Sequence, residues 1–166
     1  MFEVNCQQAI KSLLFLYERL KGQGHDIPDE FGCAADDLKI FGPHYSQPLP
    51  MELVDFLCAT LPQGYLDIGV YKTIGPEALL AEQLEAIPLE GNMKHGLFGL
   101  GWWTGDCDGD GWLYDLQSGK IYAVPIYNND EETRGGVLES AYQTFDNFSE
   151  WVIFLEQECR EREWLV

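Results

Sequence analysis

The sequence predicts a single α+β domain, a mostly antiparallel sheet flanked by N-terminal, middle and C-terminal helices. Three observations predict it. Apolar residues repeat at three- and four-residue steps near both ends of the chain. A strand-like, aromatic-rich block with Gly/Asp punctuation lies between Leu97 and Tyr127. The length of 166 residues suits one domain, and 46% hydrophobic and 13% aromatic content supplies its core and excludes disorder.

The first element is a helix, because Cys6, Ile10, Leu13, Tyr17 and Leu20 share one face, with Leu14 beside them; Gly22 and Gly24 end it. Residues 23–48 form a long acidic connection carrying Asp26, Asp29, Glu30, Asp36 and Asp37, with one short helix around Ala34–Lys39. Pro50 suits the first position of a helix running to Leu61, with Pro62 just past its end. Tyr65–Tyr71 reads as a strand, and Gly75-Pro76 opens a helix over Glu77–Ala86 that Pro88 stops. Phe98–Thr104 is a strand, followed by a Gly/Asp turn. Trp112–Leu116 is the next, with Trp112, Tyr114 and Leu116 on one face. Gln117-Ser118-Gly119 makes a hairpin turn into the strand Lys120–Tyr127, where Pro125 predicts an edge position or a bulge. Asn128–Gly136 reads as a polar loop. Thr144 is placed as N-cap of a last helix whose stripe is Phe145, Phe148, Val152, Leu155 and Cys159. One domain spans 1–166, with residues 1–44 a helical and loop extension and 45–160 its core.

Charge narrows the function. The chain carries 28 Asp+Glu against 10 Lys+Arg, a net charge of −18. Phosphate backbones and anionic membranes are bound through Lys and Arg, so neither nucleic acid nor membrane is an expected partner. A basic protein is favoured, its encounter steered by the field. No stretch reaches the roughly 20 apolar residues of a membrane helix, and the charged N-terminus does not read as a signal peptide. The five cysteines, Cys6, Cys33, Cys58, Cys107 and Cys159, are odd in number with no closely spaced pair. They read as reduced thiols of a cytoplasmic protein, not as a disulfide framework or zinc site.

Catalytic signals are weak. Asp106-Cys-Asp-Gly-Asp-Gly111 matches the first half of a calcium loop, but Gln117 stands where a bidentate Glu is needed and a strand follows where a helix should. A tight inter-strand turn is the favoured reading, and no metal or cofactor is expected. The glycines at 99, 101 and 105 miss the dinucleotide fingerprint, since the spacing is too long and no helix follows. His25, His44 and His95 are scattered and read as surface or hydrogen-bonded structure.

The strand block is more informative. From Trp103 to Glu158 there are 12 acids and 2 bases, interleaved with aromatics. Adjacent Trp102 and Trp103 point to opposite faces of a strand, which leaves one for contact unless helices cover both, and exposed Trp anchors interfaces. The candidate partner-binding residues are therefore Trp103, Asp106, Asp108, Asp110 and Asp115, with Asp130, Glu131 and Glu132 adding to the field.

Three motifs in order carry a resemblance. Gly105-Asp-Cys-Asp-Gly-Asp-Gly-Trp-Leu-Tyr-Asp-Leu116 followed by Ser118-Gly119-Lys-Ile-Tyr-Ala-Val124 resembles the central strand pair of the SUKH superfamily, which joins bacterial immunity proteins with yeast cell-wall-synthesis regulators. Pro50-x-Glu-Leu-x-x-Phe-Leu57 is similar to its early helix, and Thr144-Phe-Asp-Asn-Phe148 to its terminal one. The match spans roughly residues 45–160; the first 40 residues, the segment Asn128–Gly136 and the Trp102-Trp103 pair lie outside it. The resemblance implies a single α+β domain and a non-enzymatic immunity-type role, neutralising a basic toxin such as a nuclease. It carries no catalytic residues. The alternatives are a regulatory scaffold for endogenous proteins, as the yeast members suggest, a calcium-binding module, and an enzyme with no recognised motif.

Overall fold

A computed structural model describes residues 2–85, 92–103, 110–125 and 133–166. Its centre is a six-stranded antiparallel sheet in strictly sequential order. The strands are β1 (Tyr65–Asp67), β2 (Lys72–Ile74), β3 (Leu97–Trp103), β4 (Asp110–Asp115), β5 (Ile121–Val124) and β6 (Gln143–Phe145). The helices are α1 (Phe2–Gly22), α2 (Met51–Thr60), α3 (Pro76–Glu85), α4 (Arg134–Glu139) and α5 (Phe148–Glu161), with a 3-10 helix over Ala35–His44. The α+β class expected from the sequence is the observed one.

The helical stripes do what their spacing dictates. Leu13, Tyr17 and Leu20 of α1, Leu53, Phe56 and Leu57 of α2, and Phe148, Trp151, Val152 and Leu155 of α5 are buried in one core. That core lies on the sheet face carrying Phe98, Trp112, Tyr114 and Ile121. Phe56 stacks on Phe148 at 3.9 Å between ring centroids, and Phe148 stacks on Tyr114 at 5.2 Å. The opposite face holds a smaller cluster, Leu97, Leu113 and Val124, covered by Val137 of α4.

One irregularity decides which tryptophan is buried. The β3–β4 register shifts between Gly99 and Gly101. Simple alternation from Phe98 would bring Trp102 to the main core; the extra residue moves Trp103 there and sends Trp102 to the small cluster. Gly101 is required at this bulge. Its φ is +152°, and a Cβ would drive into the Lys72 carbonyl of β2.

Several local expectations are corrected. Tyr65–Tyr71 is not one strand. β1 ends at Asp67, whose Oδ1 accepts the Gly69 N–H at 2.8 Å in a turn where Gly69 has φ +86°, and β2 returns beside it. Pro125 marks neither an edge nor a bulge: β5 ends at Val124 and lies between β4 and β6. The polar loop over 128–136 gives way to α4, capped by Thr133, whose side chain accepts from Gly136 N at 3.0 Å; residues 128–132 lie outside the described residues. Thr144 sits in β6 opposite Tyr122, and the cap of α5 is Asn147, whose Oδ1 accepts from Glu150 N at 3.0 Å. Phe145 belongs to β6, so the α5 stripe starts at Phe148.

Candidate functional site: an acidic groove beside a thiol pair

Three of the expected contact residues, Trp103, Asp110 and Asp115, are buried. Trp103 is only 8% exposed; it stacks on Trp112 at 4.9 Å and on Tyr142 at 5.3 Å, with Phe154 edge-on. The bulge turns it inward, so it is a core residue and not an interface anchor. Asp110 is 5% exposed, and Tyr142 donates its hydroxyl to Oδ2 at 2.5 Å. Asp115 is 2% exposed and accepts from three groups: Gln117 N at 3.0 Å, Ser118 Oγ at 2.6 Å and Arg134 Nη2 at 2.5 Å. A buried carboxylate needs such donors. Asp115 thus holds the turn after β4 and pins the start of α4. Asp106, Asp108, Asp130, Glu131 and Glu132 lie outside the described residues, and with them most of the calcium-like loop. Among the described residues, no three His, Cys, Asp or Glu are grouped to hold a metal ion.

Open carboxylates gather elsewhere. Asp26, Asp29, Glu30, Asp36 and Asp37 are all exposed, in a stretch with no Lys or Arg from 26 to 38. Lys21 pairs with Asp29, and Lys39 with Asp36 at 2.9 Å. Asp37 Oδ2 accepts the Ala34 N–H at 2.9 Å and so opens the 3-10 helix. The stretch is tethered to the body at its start and its middle. Ile27 is buried in the core, and Phe31 bridges Pro62 in antiparallel fashion, with Gly32 N bonded to Leu61 O at 2.7 Å.

This arrangement leaves a groove of about 580 Å³ between the 3-10 helix, the β1 and β2 ends and the start of α3. Cys33, Ile40, Pro62 and Ile74 give it an apolar lining, and Asp36, Asp37 and Glu77 are its acidic residues. Apolar walls with carboxylates beside them suit the stem and head of a Lys or Arg side chain.

Two thiols lie behind the groove. Cys33 N donates to Cys58 O at 2.9 Å, and the Cys33 thiol donates to the neighbouring Leu57 carbonyl at 4.0 Å. Burial pushes the Cys33 thiol up to about 12, with Cys58 adding to the rise, so it is protonated at neutral pH. Burial also raises Cys58, while the Cys33 side chain beside it draws it back. Sequence spacing hides this pair, because residues 33 and 58 meet only through the Phe31–Pro62 pairing. The groove itself had a signal in the sequence: five acids without a base in a Gly- and Pro-punctuated connection.

A second titrating pair lies between α2 and β4. Tyr114 donates its hydroxyl to Glu52 Oε2 at 3.0 Å, and burial holds the Glu52 carboxyl above its ordinary range despite that bond.

No family model, curated protein or solved structure matches this chain. Among the described residues, no helix is long and apolar enough to cross a membrane.

Proposed function

We propose that this chain is a non-enzymatic protein-binding domain that holds a basic protein partner against its acidic surface. The role is of the immunity type, neutralising a toxin such as a nuclease in the cytoplasm. The observation that carries the reading is the run of exposed carboxylates from Asp26 to Asp37, continuous with the groove at Asp36, Asp37 and Glu77, in a chain of net charge −18. Such a field accelerates encounter with a positively charged partner and disfavours acidic ones. A protein that binds phosphate backbones is itself basic at its site, and an acidic domain competes for that site. The motifs of residues 45–160 that resemble the SUKH superfamily support the same reading. In it the groove receives a Lys or Arg side chain of the partner, the stem along Ile40 and Ile74 and the cationic head at the carboxylates.

The test is capture on the tagged full-length chain at low and moderate salt, with bound proteins identified by mass spectrometry. The comparison is the triple variant Asp36→Asn, Asp37→Asn, Glu77→Gln. One basic protein is expected, lost as salt rises and bound about tenfold more weakly by the variant, since three exposed charge contacts at about 0.5 kcal/mol each sum to about 1.5 kcal/mol. Capture indifferent to salt overturns the basic-partner class. Salt-sensitive capture that ignores the triple variant removes the groove from the interface and leaves the class standing. Recovery of several housekeeping proteins favours the regulatory scaffold.

A further inference from the structure

The thiols of Cys33 and Cys58 form a built-in dithiol that the sequence does not announce. Their backbones are hydrogen-bonded at 2.9 Å, which brings the two chain segments to the spacing of a paired ladder. The Cys33 thiol points to the Leu57 carbonyl at 4.0 Å, one residue before Cys58. Both cysteines are partly exposed, whereas Cys6 and Cys159 are buried in separate parts of the core. Cys33 forms part of the groove wall, so a small reagent entering the groove reaches it without unfolding. Gly32 makes the approach feasible. Its φ is +109°, and a Cβ there would sit 3.0 Å from the Cys58 carbonyl oxygen.

We propose that Cys33 and Cys58 are a redox-active pair that closes to an intramolecular disulfide when the protein meets a low-molecular-weight disulfide such as oxidised glutathione. One protein thiolate attacks the reagent's disulfide, forming a mixed disulfide and releasing one small thiol. The neighbouring thiolate then attacks the protein sulfur of that mixed disulfide and releases the second. Two protein S–H bonds are lost and one S–S bond is formed, while one reagent disulfide becomes two thiols. The product staples the connection carrying Asp36 and Asp37 to α2. It does not depend on the identity of any partner.

Because the attacking species is the thiolate and both thiols are raised, closure is slow at neutral pH and accelerates roughly tenfold per pH unit in the mildly alkaline range. Oxidation also closes a long loop of the unfolded chain, so the oxidised protein melts about 10 °C higher than the reduced one.

The experiment treats the folded full-length protein, reduced and freed of reductant, with oxidised glutathione at pH 7.0 and pH 8.5. Peptide mass mapping follows under non-reducing conditions. The expected result is loss of two hydrogen atoms and a cross-linked peptide pair holding Cys33 and Cys58, formed faster at pH 8.5 and reversed by dithiothreitol with the melting shift. The Cys107→Ser variant closes equally well, while Cys58→Ser accumulates a glutathione adduct on Cys33. The proposal is overturned by stable adducts on both wild-type thiols without closure, by a cross-link that uses another cysteine, or by no reaction at pH 8.5. The mapping on wild-type protein decides the matter even where a serine variant fails to fold.

Discussion

Two regions of this molecule are rich in Asp and Glu, and the fold treats them in opposite ways. In β4, Asp110 and Asp115 are drawn inside and met by Tyr142, Ser118 and Arg134. In the connection from Asp26 to Asp37 the carboxylates face water, and most of the backbone around them is tethered from below by Ile27, Phe31 and Gly32. The difference lies in the backbone. A strand within a covered sheet sends every side chain to one face or the other, so an acid there is buried unless the strand ends. An irregular segment fastened by a few apolar residues leaves its acids solvated. Acidic density in a sequence therefore marks a surface only where the local structure leaves side chains free.

Substitutions can break this contrast. The largest expected effect is at Trp103→Ala, which empties a site packed among Trp112, Tyr142 and Phe154 and costs about 3–5 kcal/mol in urea unfolding. A cost below about 1 kcal/mol would return Trp103 to the surface. Asp115→Ala comes next, at about 3 kcal/mol, because it removes the acceptor of three donors and strands the Arg134 guanidinium; Asp115→Asn recovers part of the loss. The triple groove variant is the counterpart in the exposed region. Its stability is expected within about 0.5 kcal/mol of wild type, since Asn at 37 still accepts from Ala34 N. A large loss there would show these acids to be structural too.

The smallest effect has a pH signature. Burial holds the Glu52 carboxyl above the ordinary Glu range, so the folded state disfavours its charge. The penalty is absent below the ordinary Glu range, where the group is protonated in both states. It develops as pH rises through the raised folded value. Glu52→Gln keeps an acceptor for Tyr114 and removes the charge. It is therefore expected to raise the melting temperature by about 1–2 °C at pH 7 and to leave it unchanged at pH 4. A gain at pH 4 as large as at pH 7 would remove charge burial as its cause.

Much of the fold was legible. The stripes of α1 and α5 follow from three- and four-residue spacing, α2 from the prolines at 50 and 62, and the β4–β5 hairpin from Ser118-Gly119 between aromatic strands. Trp102 and Trp103 do face opposite sides, but which one enters the main core depends on a one-residue bulge that no periodicity reveals. The cap at Asn147 was missed because Thr144, an equally good cap by type, pairs in β6. The candidate site was the least legible part. Its acids stood in plain view as a connection, yet the groove needs Phe31 to find Pro62, a contact across thirty residues that leaves no local mark.

The strand order has a consequence for how the chain is made. Each strand pairs with the one synthesised just before it, so the sheet can assemble by successive antiparallel additions. The helical layer cannot follow that order. α1 lies against α5, with Arg19 bonded to Glu156 and Ser149 to the carbonyl of Asn5, and His25 stacks flat on Trp164. α1 is made before α5 and waits for it before its apolar stripe is fully covered. During translation that stripe is the surface a chaperone would hold.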